Sequence, residues 1–120
     1  VNRSPLKRFT ERKIMKNSEK CKILQVLQSA DSCSVSSYYE ALENIGDMKY
    51  NYGDYMITEP IDCHEELKRL PKADYDLCCA LLTMLLREDH FCNGCFEKRH
   101  RAGDVQPILD RMIALLADGE

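Results

Sequence analysis

The fold of this chain is decided by residues 81–116, which read LLTMLLREDHFCNGCFEKRHRAGDVQPILDRMIALL. The first part continues an apolar stretch that starts near Leu77, and such a stretch predicts a helix buried on most sides. Gly94 and Gly103 interrupt the segment. After Pro107 the apolar residues return at the spacing of an amphipathic helix, with Asp104 as its expected cap. We therefore expect two packed helices joined by a glycine-containing turn.

Shorter helices are predicted before this segment. Ser18 precedes one amphipathic stretch, and Ser37 followed by Glu40 has the spacing of a capping box. Asp74 or Lys72 is expected to start the central helix, which should run to about Phe91. Tyrosines around Gly53-Asp54 predict either a small β-hairpin at residues 48–58 or a tyrosine-rich loop over the helices. The expected fold is all-α, a single helical bundle domain over residues 18–120 to which the hairpin would add two strands.

Composition indicates a folded domain. The 120 residues are 44% hydrophobic and 31% charged, which is typical of a globular protein and not of a disordered one. The longest apolar run, residues 77–86, is too short to cross a bilayer, so no membrane association is expected. The first residues are polar and basic, unlike a signal peptide. These features predict a soluble cytoplasmic protein whose seven cysteines are reduced.

Charge is unevenly distributed. Residues 1–22 carry eight of the 17 Lys and Arg but two of the 20 Asp and Glu. Residues 1–17 lack helical periodicity and are expected to form a basic, disordered N-terminal arm, of which residues 1–14 would be an upstream extension. Such an arm can contact nucleic acid or another anionic partner. We favour the alternative that it is solvated or folds back on the acidic remainder of the chain.

Potential metal ligands are concentrated at the turn after the central helix. They are His90, Cys92, Cys95 and His100. Thiolates and imidazoles suit zinc, and a two-residue spacer lets both sulfurs reach one ion. A single Cys-x-x-Cys knuckle is a weak zinc signal, and a redox pair normally follows a strand instead of a helix. We favour no cofactor, with two structural cysteines at a helix end, over zinc or thiol chemistry.

A polar stripe on the central helix gives a second candidate site. Thr83, Arg87 and His90 fall on one side of the helix at about 100° per residue. Arg87 follows ten mostly apolar residues, so its stem should be buried and its guanidinium should need a partner. One interpretation is an internal ion pair with Glu97, Asp104 or Asp110. The other is an anion-binding corner that Arg87 shares with Lys98, Arg99 and Arg101.

These residues also carry a resemblance to a known family. Leu81-Leu82-Thr83 followed by Arg87, Phe91, Gly94 and a closing helix with Ile108-Leu109 and Arg111-Met112 resembles the C-terminal block of small bacterial proteins catalogued as a domain of unknown function. The family usually has Arg where this chain has His90, and Cys95 is not part of its pattern. The resemblance implies a bacterial, intracellular helical domain and brings no activity with it.

Three functional hypotheses follow. No convincing acid–base or nucleophile–base constellation is present, so whether the chain is an enzyme stays open. We favour a non-catalytic binding or interaction module whose basic corner contacts an anionic ligand, a protein partner or a second copy of the chain. The alternatives are a metal- or thiol-dependent protein built on Cys92 and Cys95, and a nucleic-acid-binding accessory protein that uses the N-terminal arm.

Overall fold

The apolar stretch forms the central helix of the molecule. The computed structural model describes residues 15–30 and 34–119. In it, helix α4 runs over Tyr75–Phe91. Asp74 caps this helix, because its carboxylate accepts the Leu77 N–H at 2.8 Å. All nine residues from 78 to 86 are buried, so the prediction of a central helix buried on most sides is confirmed.

Shorter helices pack around α4 in the described part of the chain. The other α-helices are α1 (Asn17–Ser29), α2 (Val35–Ile45), α3 (Cys63–Leu67), α5 (Cys95–Arg101) and α6 (Gln106–Asp118). Two 3₁₀ helices cover Tyr52–Tyr55 and Leu70–Lys72. Helix α4 packs against α6, α5 and the first 3₁₀ helix, and α1 packs along α6. Residues 15–30 and 34–119 contain no strand, so the all-α prediction is confirmed.

The tyrosine-rich segment is a loop, and the predicted hairpin at residues 48–58 is wrong. Gly46 ends α2 in the left-handed conformation, with φ 79°, and turns the chain into this loop. The Lys49 N–H then donates to Thr83 Oγ1 on α4 at 3.3 Å. Because the loop bonds to a helix and then coils into a 3₁₀ helix, its side chains do not alternate across a pleat, and Tyr52 packs against the core.

Two helix starts differ from the predictions, and one helix was not predicted. Helix α2 begins after Ser34, whose hydroxyl accepts the Ser37 N–H at 3.3 Å, so the expected start at Ser37 is wrong. Val105, and not Asp104, precedes α6. Helix α5 occupies the segment expected to be a basic turn. Phe96 anchors it through an edge-to-face contact with Tyr38, with ring centroids 4.9 Å apart.

The first and last helices of the described residues, α1 and α6, pack on each other. Asn17, in the first turn of α1, donates from Nδ2 to the Leu116 carbonyl oxygen of α6 at 3.1 Å. Residues 1–14 of the predicted arm lie outside the described residues, and Asn17, which was assigned to the arm, instead belongs to α1. No helix in the described ranges is both long and apolar enough to span a membrane.

Candidate functional site

A cavity of about 330 Å³ opens where the tyrosine-rich loop crosses α4. We call it the Arg87 pocket, and its lining residues are Tyr39, Met48, Tyr50, Tyr52, Thr83, Arg87 and Phe91. The three residues from α4 are spaced by four, so they lie along one side of the helix. The remaining residues come from α2, the loop and the first 3₁₀ helix.

Arg87 is partly buried. Hydrogen bonding to the Tyr39 hydroxyl, with a further contribution from Tyr52, raises the pKa of Arg87. No carboxylate of the described residues lies within 4.0 Å of its guanidinium. The expected internal ion pair of Arg87 is therefore wrong. Its three candidate partners bond elsewhere: Glu97 to Arg101, Asp104 to Arg99 and Asp110 to Gln28.

Thr83 lines the pocket, but its hydroxyl is used inside the fold. The side chain is 1% exposed and donates to the Cys79 carbonyl oxygen at 2.8 Å. The Thr83 hydroxyl oxygen also accepts the Lys49 N–H and lies 3.5 Å from Met48 Sδ. Thr83 therefore positions the loop over α4 and forms part of the pocket floor.

Two aromatic side chains at this pocket are unusually exposed. Tyr50 is 73% exposed and Phe91 is 80% exposed. The Tyr50 hydroxyl donates to Glu43 Oε2 at 2.6 Å, and this hydrogen bond raises the pKa of Tyr50. His90 is exposed, and its ring contacts Phe91 edge to face at 4.9 Å between centroids. His90 therefore lies beside the pocket without lining it.

Glu66, which is 0% exposed, holds the chain that follows the tyrosine loop. Its Oε2 accepts the backbone N–H groups of Ile57 and Thr58 at 2.9 and 2.7 Å and also the Thr58 hydroxyl. Arg69 donates to Oε1 at 2.7 Å. Burial alone would raise the pKa of Glu66, but the hydrogen bonds from Thr58, Arg69 and Ile57 outweigh it and lower the pKa.

The other predicted basic residues lie away from Arg87, on α5. Arg99 makes two hydrogen bonds to Glu88, each 3.0 Å long, and a third to Asp104 at 3.2 Å. The bonds to Glu88 raise the pKa of Arg99. Lys98 and Arg99 line a separate cavity of about 290 Å³ together with these two carboxylates. The third, Arg101, is exposed and pairs with Glu97.

The structure thus divides the predicted basic corner into two places. Arg87 and Thr83 share the Arg87 pocket, whereas Lys98 and Arg99 share a cavity with Glu88 and Asp104. Within the described part of the chain, carboxylates pair with Arg99 and none pairs with Arg87, so the two arginines differ in their capacity to attract an anion.

The cysteine turn is closed by a disulfide. Cys92 and Cys95 are bonded, with their Cα atoms 5.5 Å apart, so the expectation that all cysteines are reduced does not hold for this pair. Bonded sulfurs provide no thiolate for a metal. The described residues contain no group of three or more His, Cys, Asp or Glu that could hold a metal ion. Zinc binding by His90, Cys92, Cys95 and His100 stays a prediction, and it concerns the reduced protein.

The site residues that sequence reasoning missed are mainly aromatic: Tyr39, Met48, Tyr50, Tyr52 and Phe91. Phe91 was one of the residues that carried the family resemblance, and it follows Thr83 and Arg87 at the helical interval of four. That interval was a usable signal. Tyr50 and Tyr52 gave none, because their position over α4 depends on a long-range bond from the Lys49 backbone.

A family model matches residues 5–118, nearly the whole chain. The chain belongs to the DUF6508 family. The match to DUF6508 extends far beyond the C-terminal block that carried the resemblance, and it includes the α1 and tyrosine-loop regions. DUF6508 is described as a family of unknown function, so membership adds no activity. No curated protein and no solved structure matches the chain.

Proposed function

We propose that this protein is a non-catalytic binding module that holds a small anionic molecule in the Arg87 pocket. The observation that carries the proposal is the unpaired charge of Arg87. In residues 15–30 and 34–119, Arg69, Arg99 and Arg101 each pair with a carboxylate, and Arg111 donates to the Ala73 carbonyl oxygen at 2.7 Å. Among these same residues no carboxylate pairs with Arg87, which lines a cavity where Tyr39 and Tyr52 raise its pKa.

The donors around Arg87 suit an anion with two oxygens. A guanidinium presents its N–H groups as a planar fork that matches carboxylate geometry. The hydroxyls of Tyr39 and Tyr52 are near enough to raise the pKa of Arg87, and each neutral phenol can donate its proton to an anion. An anion bound here would therefore gain a charge-assisted contact and two neutral hydrogen bonds within a partly enclosed cavity.

The chemistry of the cavity favours binding over catalysis. Its lining residues pair no nucleophile with a general base, because the Thr83 hydroxyl already donates to a backbone carbonyl.

Three cysteines outside the cavity are also poor nucleophiles. Burial raises the pKa of Cys63 and Cys78 to about 11 and that of Cys79 to about 12. Such thiols are protonated at neutral pH and are weak nucleophiles.

The proposal is tested by titrating the ¹⁵N-labelled protein with sodium benzoate and recording amide chemical shifts. The reference titration uses sodium chloride at the same ionic strength. We expect saturable shifts around the Arg87 pocket with benzoate alone. Arg87→Gln should weaken the binding roughly tenfold or more, because a hydrogen-bonded charge contributes about 1.5–3 kcal/mol.

Arg101→Gln is the matched control, since it removes an arginine that is 63% exposed and already paired with Glu97. We expect its affinity to stay within about twofold of the unmodified protein, as for a surface ion pair. Equal affinity in Arg87→Gln and Arg101→Gln, with both variants giving folded spectra, would contradict the proposal. So would shifts that never saturate.

A further inference from the structure

The volume of the Arg87 pocket limits the size of its ligand. Ligand pockets commonly measure about 300–1,000 Å³, and this one, at about 330 Å³, lies at the lower end. A single ring with one attached charged group fits that scale. A dinucleotide or a folded peptide segment does not.

The walls of the pocket indicate what kind of molecule it holds. Four of its seven lining residues are aromatic. The rings of Tyr50 and Phe91 are 73% and 80% exposed, so most of their surface is available to a ligand. Aromatic pairs gain energy beyond the area they bury, and a guanidinium also stacks on flat rings. An aliphatic acid would gain the Arg87 contact without these ring contacts.

The charge and the rings occur in the same cavity. From these observations we infer that the ligand is a small aromatic carboxylate, with its carboxylate on Arg87, Tyr39 and Tyr52 and its ring against Tyr50 and Phe91. This inference rests on the proposed function and specifies the chemical class of the molecule bound.

The pocket is largely pre-formed for such a ligand. Glu43 fixes the Tyr50 hydroxyl, Thr83 fixes the backbone of the loop at Lys49, and Glu66 fixes the chain at Ile57 and Thr58. Side chains and loops that are already ordered lose less entropy when a ligand binds. Little rearrangement is therefore needed before a flat anion can enter.

Three probes of similar size separate the contribution of the ring from that of the charge. Benzoate has both, cyclohexanecarboxylate has the charge without an aromatic ring, and benzamide has the ring without the charge. In amide-shift titrations we expect benzoate to bind roughly three- to tenfold more tightly than cyclohexanecarboxylate. Benzamide should bind roughly tenfold or more weakly than benzoate, because the charge-assisted contact is lost.

A variant locates the ring contact. Phe91→Leu keeps an apolar side chain and removes the ring, so the benzoate-to-cyclohexanecarboxylate affinity ratio should move towards one. Val26→Ala is the control, because Val26 is an exposed apolar residue, 68% exposed, on α1. It should leave the ratio of the unmodified protein unchanged.

The outcomes distinguish failure of the ligand class from failure of the proposed function. Equal binding of the two carboxylates would overturn the aromatic class while the anion-binding function stands. An unchanged ratio in Phe91→Leu would also overturn the inference. If no probe binds, or if benzamide binds as tightly as benzoate, the proposed function itself is wrong. If no probe binds and Phe91→Leu converts a dimer to a monomer in native mass spectrometry, the exposed rings pair two chains instead.

Discussion

At the scale of single residues, Glu66 shows how a buried charge is maintained in this fold. A carboxylate removed from water is costly unless it is paired and hydrogen-bonded. Glu66 has both kinds of compensation, from Arg69 and from the Ile57–Thr58 backbone. Because the folded protein stabilises the ionised form, the pKa of this group lies below its ordinary value of 4.5.

We predict that Glu66→Gln lowers the free energy of unfolding by about 1.5–3 kcal/mol at pH 7, since a neutral amide replaces a charged acceptor. A lowered pKa in the folded state stabilises the protein at pH values above the unfolded-state pKa. The loss of unfolding free energy in the variant should therefore be largest at pH values well above 4.5. It should shrink as the pH falls towards the folded-state pKa of Glu66. Urea denaturation across this pH range measures both effects.

Glu65→Gln provides the control, because Glu65 is exposed and pairs with Lys68 three residues later. It should change stability by less than about 1 kcal/mol, as is usual for surface pairs. A pH-independent loss in Glu66→Gln would show that packing, and not charge, accounts for the contribution of Glu66.

Single residues also show where sequence reasoning succeeds and where it stops. Helical spacing correctly placed Thr83 and Arg87 on one side of α4. Spacing could not name the partner of Arg87, because the tyrosines that meet it come from α2 and from a loop. The partners that the sequence suggested were carboxylates later in the chain, Glu97, Asp104 and Asp110, and each of them bonds to another residue.

At the scale of elements, α5 shows how a short helix forms without an apolar stripe. Cys95–Arg101 has one buried residue, Phe96, and Gly94 precedes it with φ 89°. One Asp89 carboxylate oxygen accepts the N–H groups of Gly94 and Phe96, both at 3.0 Å. Basic residues fill the last turn, where they complement the helix dipole.

We predict that Asp89→Ala lowers the free energy of unfolding by about 0.5–2 kcal/mol, the range seen when an N-terminal helix cap is removed. Faster amide exchange at Gly94 and Phe96, followed by NMR, should accompany the loss. Asp89→Asn keeps an oxygen acceptor and should recover most of the stability. If Asp89→Ala is neutral, the Cys92–Cys95 disulfide alone holds the turn.

The elements predicted best are those whose apolar residues repeat for several turns. Helices α4 and α6 have such repeats, and both were predicted from their spacing. Helix α5 was missed because its seven residues carry four basic side chains and one buried phenylalanine. The hairpin was predicted wrongly because tyrosines suit a pleated surface and a loop packed on helices equally well.

At the scale of the whole molecule, one carboxylate oxygen joins three distant segments. Asp47, after α2, accepts from Lys20 of α1 at 2.8 Å and from the Tyr75 hydroxyl of α4 at 2.6 Å. The Lys20 and Asp47 side chains are 13% and 18% exposed. Burial raises the pKa of Tyr75, so its phenol keeps the proton that it donates.

We predict that Asp47→Asn lowers the free energy of unfolding by about 1.5–3 kcal/mol, because Lys20 loses its counter-charge in a poorly solvated place. Asp76→Asn is the matched control: Asp76 pairs with Lys49 at 3.2 Å but is 61% exposed. It should cost less than about 1 kcal/mol. Equal losses in urea denaturation would mean that Asp47 acts as an ordinary surface charge.

The pairing of α1 with α6 has a consequence for how the protein is made. Asn17 and Leu116 bond across 99 positions of sequence. During translation, α1 emerges long before α6 exists, so the surface of α1 that α6 covers in the folded protein stays exposed until α6 has left the ribosome. Contacts of such long sequence separation slow folding, and nascent chains with exposed apolar surface are the ones that chaperones bind. The order of synthesis therefore delays closure of this part of the core until α6 has been released.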